Sequence, residues 1–239
     1  MIEILDIHKQ FGTVKVLNGV SFNLDRPSVI AVLGPNGSGK TTILKTILGM
    51  VIPQSGDILF EGTSLLKQSD YRKRIGYLPQ IAQFPDNLTV SELIQMIKNI
   101  RNMPANEQDI IELFGVEKFL NKKLSNLSGG TKQKVNIVLT FMFDSPLYIL
   151  DEPTAGLDPV SLIHLKELIQ REMDKGKTLL VTTHIMSLVE ELADEIIFLL
   201  EGKIYFQGSV EALEKQTGQT DLEHAIAKIL EKDDQNTEI

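Results

Sequence analysis

The sequence predicts an α/β fold, in which an N-terminal antiparallel β part precedes a core of strands and helices with an inserted helical subdomain. Three observations support this prediction. Strand-like stretches occupy 2–7 and 14–24. Short, almost wholly apolar stretches typical of buried strands occupy 29–33, 147–150 and 178–182. Between about 85 and 142 the apolar residues recur at helical spacing instead.

The connecting elements follow in order along the chain. The first buried strand runs into a glycine-rich turn over 34–39, after which a helix is predicted to begin near Lys40. Residues 56–62 indicate a further strand that ends in a turn. Asp158-Pro159 is typical of a helix start, and that helix is expected to end at Gly176. The stretches 196–200 and 203–206 indicate a hairpin.

Composition excludes several classes of protein. The 239 residues are 42% hydrophobic, which is enough apolar material for a globular protein with a core. The net charge of −8 repels a phosphate backbone, so direct nucleic-acid binding is not expected. The absence of cysteine excludes disulfides and thiolate metal sites and fits a reducing cytosol. No secretory signal is predicted, and the longest apolar runs are too short to cross a bilayer.

We predict one main domain over 1–208, with the helical subdomain inserted at about 81–142. A C-terminal helical extension over 209–239 is expected to end in a disordered acidic tail from Asp233, because that segment is polar and charged.

A phosphate-binding loop is predicted where the glycine-rich turn joins the first helix. Residues 34–41 read GPNGSGKT. Glycines let the backbone approach a polyphosphate closely, and the following helix N-terminus favours its negative charge. An ordinary glycine turn is the alternative, but the strand before and the helix after the loop favour phosphate binding. The predicted nucleotide contacts here are Gly34, Pro35, Asn36, Gly37, Ser38, Gly39, Lys40, Thr41 and Thr42.

Two further patterns carry chemistry. An apolar strand ends in Asp151 and Glu152, at the strand end where open α/β sheets bind ligands. Adjacent side chains of a strand point to opposite sides, so Asp151 can hold Mg²⁺ while Glu152 accepts a proton from water. Leu-Ser-Gly-Gly at 127–130 opens a helical run and forms a second potential anion site. Taken alone, the acidic pair could be a loop or cap, and the glycines could follow an ordinary N-cap.

In this order the three patterns resemble the ATP-binding-cassette (ABC) family, over nearly the whole chain to about Gly208. The resemblance implies a P-loop NTPase core that binds ATP and Mg²⁺. It assigns catalysis to Lys40, Gln80, Glu152 and His184, and the metal to Thr41, Gln80 and Asp151. It implies nucleotide contacts at Phe11, Ser128, Gly129, Gly130 and Asp158. Phe11 would stack on adenine, although a phenylalanine near a β-turn is more commonly core.

The resemblance also implies a head-to-tail homodimer, in which Ser128 and Gly130 of one chain cover the ATP of the other. The expected partner is a separate transmembrane permease at the inner face of the cell membrane. The alternatives are a soluble ABC-type ATPase of DNA repair or translation, and a nucleotide-binding module without turnover. A single cassette, the negative charge and the lack of sustained heptads argue against the soluble ATPase, and the complete motifs argue against the inactive module.

Two local resemblances concern the type of transporter and the process that it serves. The short helical insertion and residues 221–225 resemble exporter-type cassettes that serve a separate membrane subunit. The stretch 183–206 is similar to subunits that serve copper-site maturation of nitrous oxide reductase, although the scattered histidines could not hold copper themselves.

The expected docking surface for a membrane partner lies around Ile81, Phe84, Pro85 and Leu88, the alternative being that Phe84 and Leu88 pack into the helical subdomain.

Overall fold

A computed structural model of the protein describes residues 2–65 and 69–237, with side chains of the last helix described as far as Glu231. Its strands are β1 (Ile2–Phe11), β2 (Val14–Leu24), β3 (Ser28–Leu33), β4 (Ser55–Phe60), β5 (Thr63–Ser64), β6 (Ile75–Leu78), β7 (Leu147–Asp151), β8 (Thr178–Thr182), β9 (Glu195–Leu200) and β10 (Lys203–Gly208). Its helices are α1 (Lys40–Ile47), α2 (Val90–Arg101), α3 (Glu107–Phe114), α4 (Gly129–Phe141), α5 (Pro159–Asp174), α6 (Met186–Leu192), α7 (Val210–Thr217) and α8 (Leu222–Thr237).

The N-terminal strands form an antiparallel sheet in the order β2-β1-β4-β5. Ile4 of β1 is buried while its neighbour Leu5 is 40% exposed, as expected for a strand with one face on the core. Ile4 pairs with Phe22 on one side and Ile58 on the other. These residues share a core cluster with Ile43 of α1, so this sheet packs over the helix that follows the phosphate loop.

The second sheet has the order β10-β9-β3-β8-β7-β6, parallel except for β10. Every residue of β3, β7 and β8 is buried, which explains their continuous apolar sequences. Thr182 at the end of β8 is in register with Val32 of β3 and with Asp151 of β7. The carboxyl ends of three strands therefore lie side by side, where the site forms.

The helical subdomain is joined to this sheet by α4. Thr89 and Glu92 form a capping box that starts α2, and Ser128 caps α4. At the far end of α4 the Thr140 hydroxyl donates to the Tyr77 carbonyl of β6, at 3.1 Å. Subdomain residues such as Phe114 share one core cluster with sheet residues such as Leu150. The subdomain and the cassette core are thus packed as one body.

The predicted α/β fold, with its antiparallel part and helical subdomain, is confirmed. Strand β6 was not predicted, because its four residues give too short a pattern. The backbone of α8 extends to Thr237, so the chain is helical beyond Asp233, where a disordered tail was expected, and 238–239 lie outside the described residues. The domain limits, 1–208 and 209–239, stay a prediction. Leu213 and Ile229 of the C-terminal helices pack with Phe198 of β9, so these helices share a core cluster with the second sheet.

Phe84 and Leu88 are half-buried against the core cluster of the helical subdomain. Ile81, in the same loop, is 68% exposed. Of the residues proposed for docking, Ile81 is therefore the large apolar side chain available to a partner. No helix in the described part of the chain has both the length and the apolar character needed to cross a membrane.

Candidate functional site

The loop between β3 and α1 has a backbone that requires glycine at two positions. Gly34 has φ +144°, and a Cβ there would lie 2.1 Å from the Leu199 carbonyl oxygen. Gly39 has φ +106°, and its Cβ would lie 2.8 Å from the Val16 carbonyl oxygen. Both contacts are shorter than any tolerated by a side chain, so the loop is held against β2 and β9 by close backbone approach.

Lys40 begins α1 and folds back over this loop. Its Nζ donates to the carbonyl oxygens of Gly34, at 2.6 Å, and Pro35, at 3.0 Å. Burial lowers the pKa of Lys40, and the nearby Glu152 and Asp151 carboxylates oppose that shift. The ammonium group is thus held at the loop, close to two acids.

Asp151 and Glu152 occupy different environments at the end of β7. Asp151 is 3% exposed, and its Oδ1 accepts a hydrogen bond from the Thr182 hydroxyl at 2.6 Å. Glu152 has φ +50°, in the left-handed region that non-glycine residues rarely adopt. Its backbone N–H donates to both the carbonyl and the hydroxyl oxygens of Thr182, each at 3.1 Å. Adjacent acids are thereby turned in different directions, as their separate predicted roles require.

The Glu152 carboxylate is close to His184. The distance from Glu152 Oε1 to His184 Nε2 is 3.0 Å, although the angles do not make a good hydrogen bond and this oxygen accepts none from the described residues. Burial raises the pKa of Glu152, and His184 opposes that rise. The carboxyl group is therefore a stronger base than an exposed glutamate, which suits general-base chemistry.

A cavity of about 330 Å³ brings these groups together. It is lined by Val14, Val16, Asn36, Gly37, Gly39, Lys40, Thr41, Thr42, Gln80, Asp151, Glu152 and His184. Most of the predicted site residues thus share one space. The predicted site residues that are not among its lining residues are Phe11, Gly34, Pro35, Ser38, Ser128, Gly129, Gly130 and Asp158.

Two valines of this cavity were not predicted. Val14 and Val16 lie two residues apart on β2, and Val14 pairs directly with Phe11 across the β1–β2 turn. Phe11 is 50% exposed, and the Lys9 ammonium lies 4.9 Å from its ring centroid. Phe11 is therefore an exposed surface residue rather than core. The alternation Val14, Val16 in the sequence was the signal that could have identified the two valines.

The second predicted anion site lies at the exposed start of α4. The Ser128 hydroxyl caps this helix by accepting from the Thr131 backbone N–H at 3.3 Å, and Ser128 and Gly129 are exposed to solvent. A Cβ on Gly130 would lie 2.6 Å from the Gly156 carbonyl oxygen, so this end of α4 touches the loop after Glu152. None of the three residues 128–130 lines the cavity at Lys40.

Asp158 connects that loop to α4. It caps α5 by accepting from the Ser161 N–H at 3.0 Å, and it pairs with Lys134 at 2.7 Å. These donors hold the pKa of Asp158 well below its usual range, with the Lys134 contact the largest cause. Lys134, where the ABC family commonly has arginine, thus keeps a cation against the loop.

The donors around the cavity suit a hard divalent cation. Thr41 offers a hydroxyl, Gln80 an amide and Asp151 a carboxylate, all within the same space. Mg²⁺ prefers oxygen ligands, few of them from protein when it also binds phosphates. The residue types present therefore fit a Mg²⁺ ion shared with a nucleotide.

A glycine-rich loop, an adjacent lysine and a strand ending in two acids define a nucleotide-hydrolysing protein of the P-loop class. The family model described as ABC transporter matches residues 17–155. The chain belongs to the ABC transporter family, as an ATP-binding cassette. The predicted family and ATPase class are confirmed.

Individual relatives agree with this assignment. The chain is 35% identical to the lantibiotic transport ATP-binding protein SrtF of Streptococcus pyogenes over 210 residues, which cover 87% of this chain and 90% of SrtF. It is 31% identical to the ABC transporter ATP-binding protein NatA of Bacillus subtilis over 235 residues, covering 94% and 96% of the two chains. A solved structure of the ATP-binding subunit of an ABC transporter superposes with a TM-score of 0.91 at 29% identity, covering 96% and 99%.

Proposed function

We propose that this chain is the ATP-hydrolysing subunit of a transporter, working as a homodimer beneath a separate transmembrane permease at the inner face of the cell membrane. The observation that carries the proposal is the convergence of the phosphate loop, Asp151, Glu152 and His184 on one cavity. The relatives named for transport make the soluble ATPase of DNA repair or translation the less favoured alternative.

We expect the nucleotide to be bound at its phosphates and at its adenine base. The phosphate loop and Lys40 bind the phosphates, because the backbone N–H groups and the ammonium supply positive charge at the start of α1. Val14 and Val16 give the cavity an apolar wall on its β2 side. Adenine would lie against that wall, and the exposed Phe11 ring, which pairs with Val14 in the hairpin, would stack on the base.

Thr41, Gln80 and Asp151 are the residues that would hold the metal. Mg²⁺ supplies charge that neutralises the phosphate oxygens when it is bound. Asp151 would offer its carboxylate to the metal, and Thr41 would offer its hydroxyl.

The attacking water loses its proton to Glu152. Burial raises the pKa of this carboxyl group, which makes it a stronger base than an exposed glutamate. His184, 3.0 Å from the Glu152 carboxylate, orients it and senses the γ-phosphate together with Gln80. Loss of the γ-phosphate removes the contact that holds these groups in one arrangement.

The dimer completes each site. Ser128, Gly129 and Gly130 form an exposed helix start that lies outside the cavity of their own chain. They cover the γ-phosphate of ATP bound to the partner chain, with Asp158 at the same interface. Each chain has one phosphate loop and one such helix start, so two equivalent composite sites form.

The permease selects what is transported. Besides the lantibiotic transport protein SrtF, the chain is 33% identical over 218 residues to the Nod factor export ATP-binding protein I of Burkholderia lata, and these relatives favour an exporter. The link to nitrous oxide reductase maturation, suggested by 183–206, stays a prediction.

Lys40→Ala tests the assignment. Purified variant protein should lose Mg-ATP hydrolysis by at least ~100-fold, because the charge over the phosphates is removed. Lys45→Ala is the matched control, since Lys45 is an exposed lysine in the last turn of the same helix. The measurement is steady-state phosphate release. Turnover of Lys40→Ala within a few-fold of wild type would show that the loop has another role.

A further inference from the structure

One hydroxyl group contacts both acids of the site. Thr182 is the last residue of β8 and is 1% exposed. Its Oγ1 donates to Asp151 Oδ1 at 2.6 Å and accepts from the Glu152 backbone N–H at 3.1 Å. The same N–H also donates to the Thr182 carbonyl oxygen at 3.1 Å. A single residue thus makes three hydrogen bonds to two neighbouring acids.

The direction of these bonds follows from the chemistry of the partners. An ionised carboxylate can only accept and a backbone N–H can only donate. The Thr182 hydroxyl proton therefore points to Asp151, and a lone pair receives the Glu152 N–H. The first hydrogen bond occupies Oδ1 of Asp151. The second holds the backbone of Glu152 in its left-handed conformation at φ +50°.

We propose that Thr182 is a positioning residue, which orients the metal-holding carboxylate and the general base together. The inference rests on the proposed function. With Oδ1 held by Thr182, Oδ2 is the oxygen of Asp151 that would serve the metal. With its N–H held twice, Glu152 turns its carboxylate toward His184 and the attacking water. Loss of the hydroxyl leaves a nearly inaccessible carboxylate oxygen without its donor, so the orientation of the Asp151 carboxylate is no longer fixed.

The competing explanation is that Thr182 merely satisfies buried polar groups in the sheet. Thr178 provides the control. It lies on the same strand and is also 1% exposed, but its hydroxyl donates to the Arg26 carbonyl at 3.1 Å, at the opposite end of β8. Thr178→Val removes a buried hydroxyl and its hydrogen bond from β8 without touching either acid.

The experiment compares wild type, Thr182→Val, Thr182→Ser and Thr178→Val as full chains. ATPase rate is measured against Mg²⁺ at saturating ATP and against ATP at saturating Mg²⁺, with thermal melting in parallel. Thr182→Val should lower kcat and raise the half-activating Mg²⁺ concentration by about tenfold each, since one charge-assisted hydrogen bond is lost. KM for ATP should change by less than about threefold, because the phosphate loop is intact. Thr182→Ser should retain wild-type behaviour.

Distinct outcomes overturn distinct claims. A wild-type Mg²⁺ curve and kcat in Thr182→Val overturn the positioning role alone. An equal Mg²⁺ shift in Thr178→Val overturns it too, since strand stability would then explain the effect. If the valine variant does not fold, Thr182→Ala against Thr182→Ser is judged by the same criteria. Absence of hydrolysis in the wild-type chain overturns the proposed function and this role with it.

Discussion

At the scale of single residues, the site depends on giving two adjacent acids unlike surroundings. Asp151 is almost inaccessible and fixed by the Thr182 hydroxyl, whereas Glu152 has a raised pKa and lies beside His184. The left-handed backbone at Glu152 separates the two side chains at a cost of about 1–3 kcal/mol. Strain of this kind persists where the surrounding structure holds it, and here Thr182 does so from both its hydroxyl and its carbonyl.

Glu152→Gln is predicted to bind ATP but not hydrolyse it. The amide keeps the shape of the side chain and is no longer a base, so turnover should fall by about 100-fold or more. Because the γ-phosphate persists, the dimer should accumulate. Size-exclusion chromatography with Mg-ATP measures this, and Glu167→Gln, an exposed change on α5, is the control. A variant that stays monomeric with ATP bound contradicts the dimer, and one that hydrolyses normally contradicts the base.

At the scale of elements, α4 links the two halves of the proposed composite site. Its exposed start carries Ser128, and the same helix contacts the loop after Glu152. Gln133 donates to the Pro153 carbonyl at 3.0 Å, and Lys134 pairs with Asp158. The helix that we propose to cover the partner's nucleotide is thus attached to the loop that follows the proposed general base, Glu152.

Ser128→Arg is predicted to damage hydrolysis while leaving monomer ATP binding intact. The large side chain would occupy the helix start that we propose to meet the partner's phosphates, and a loss of about 100-fold in turnover is expected. Ser125→Arg, an exposed serine three residues earlier, is the control. Nucleotide affinity is measured by fluorescence titration of the monomer. If the Ser128 variant cannot bind ATP as a monomer, Ser128 belongs to its own chain's site.

The elements that the sequence predicted best are those whose signal is local. The phosphate loop at residues 34–41 can be recognised from the local sequence alone, because the strand before it and the helix after it are also visible there. Strand β6 is only four residues long and is fixed by pairing with β7, which no local pattern reveals. The role of Thr182 was hidden for the same reason. It arises because β7 and β8 pair in parallel and bring residues 31 positions apart into contact.

At the scale of the whole molecule, the nucleotide cavity and the helical subdomain are joined through one core. The loop after β6 connects them, since Gln80 lines the cavity while Phe84 and Leu88 pack on the subdomain. The Asn136 amide donates to the Pro79 carbonyl at 3.2 Å, which ties this loop to α4. A partner that contacts the loop is therefore one residue away from the proposed γ-phosphate sensor.

Ile81, in the loop after β6, lies on the surface where the permease is expected to dock. Ile81 is 68% exposed beside Gln80, so Ile81→Asp should leave folding and basal ATPase unchanged within about twofold. An introduced charge at an apolar contact should nevertheless abolish membrane recruitment and transport. Ile100→Asp is a matched control, because Ile100 on α2 is also 68% exposed. Phe84→Asp should instead lower the melting temperature, since that ring is half-buried on the subdomain core. Co-sedimentation with permease-containing membranes decides the matter: if Ile81→Asp is recruited as well as wild type, the permease docks elsewhere.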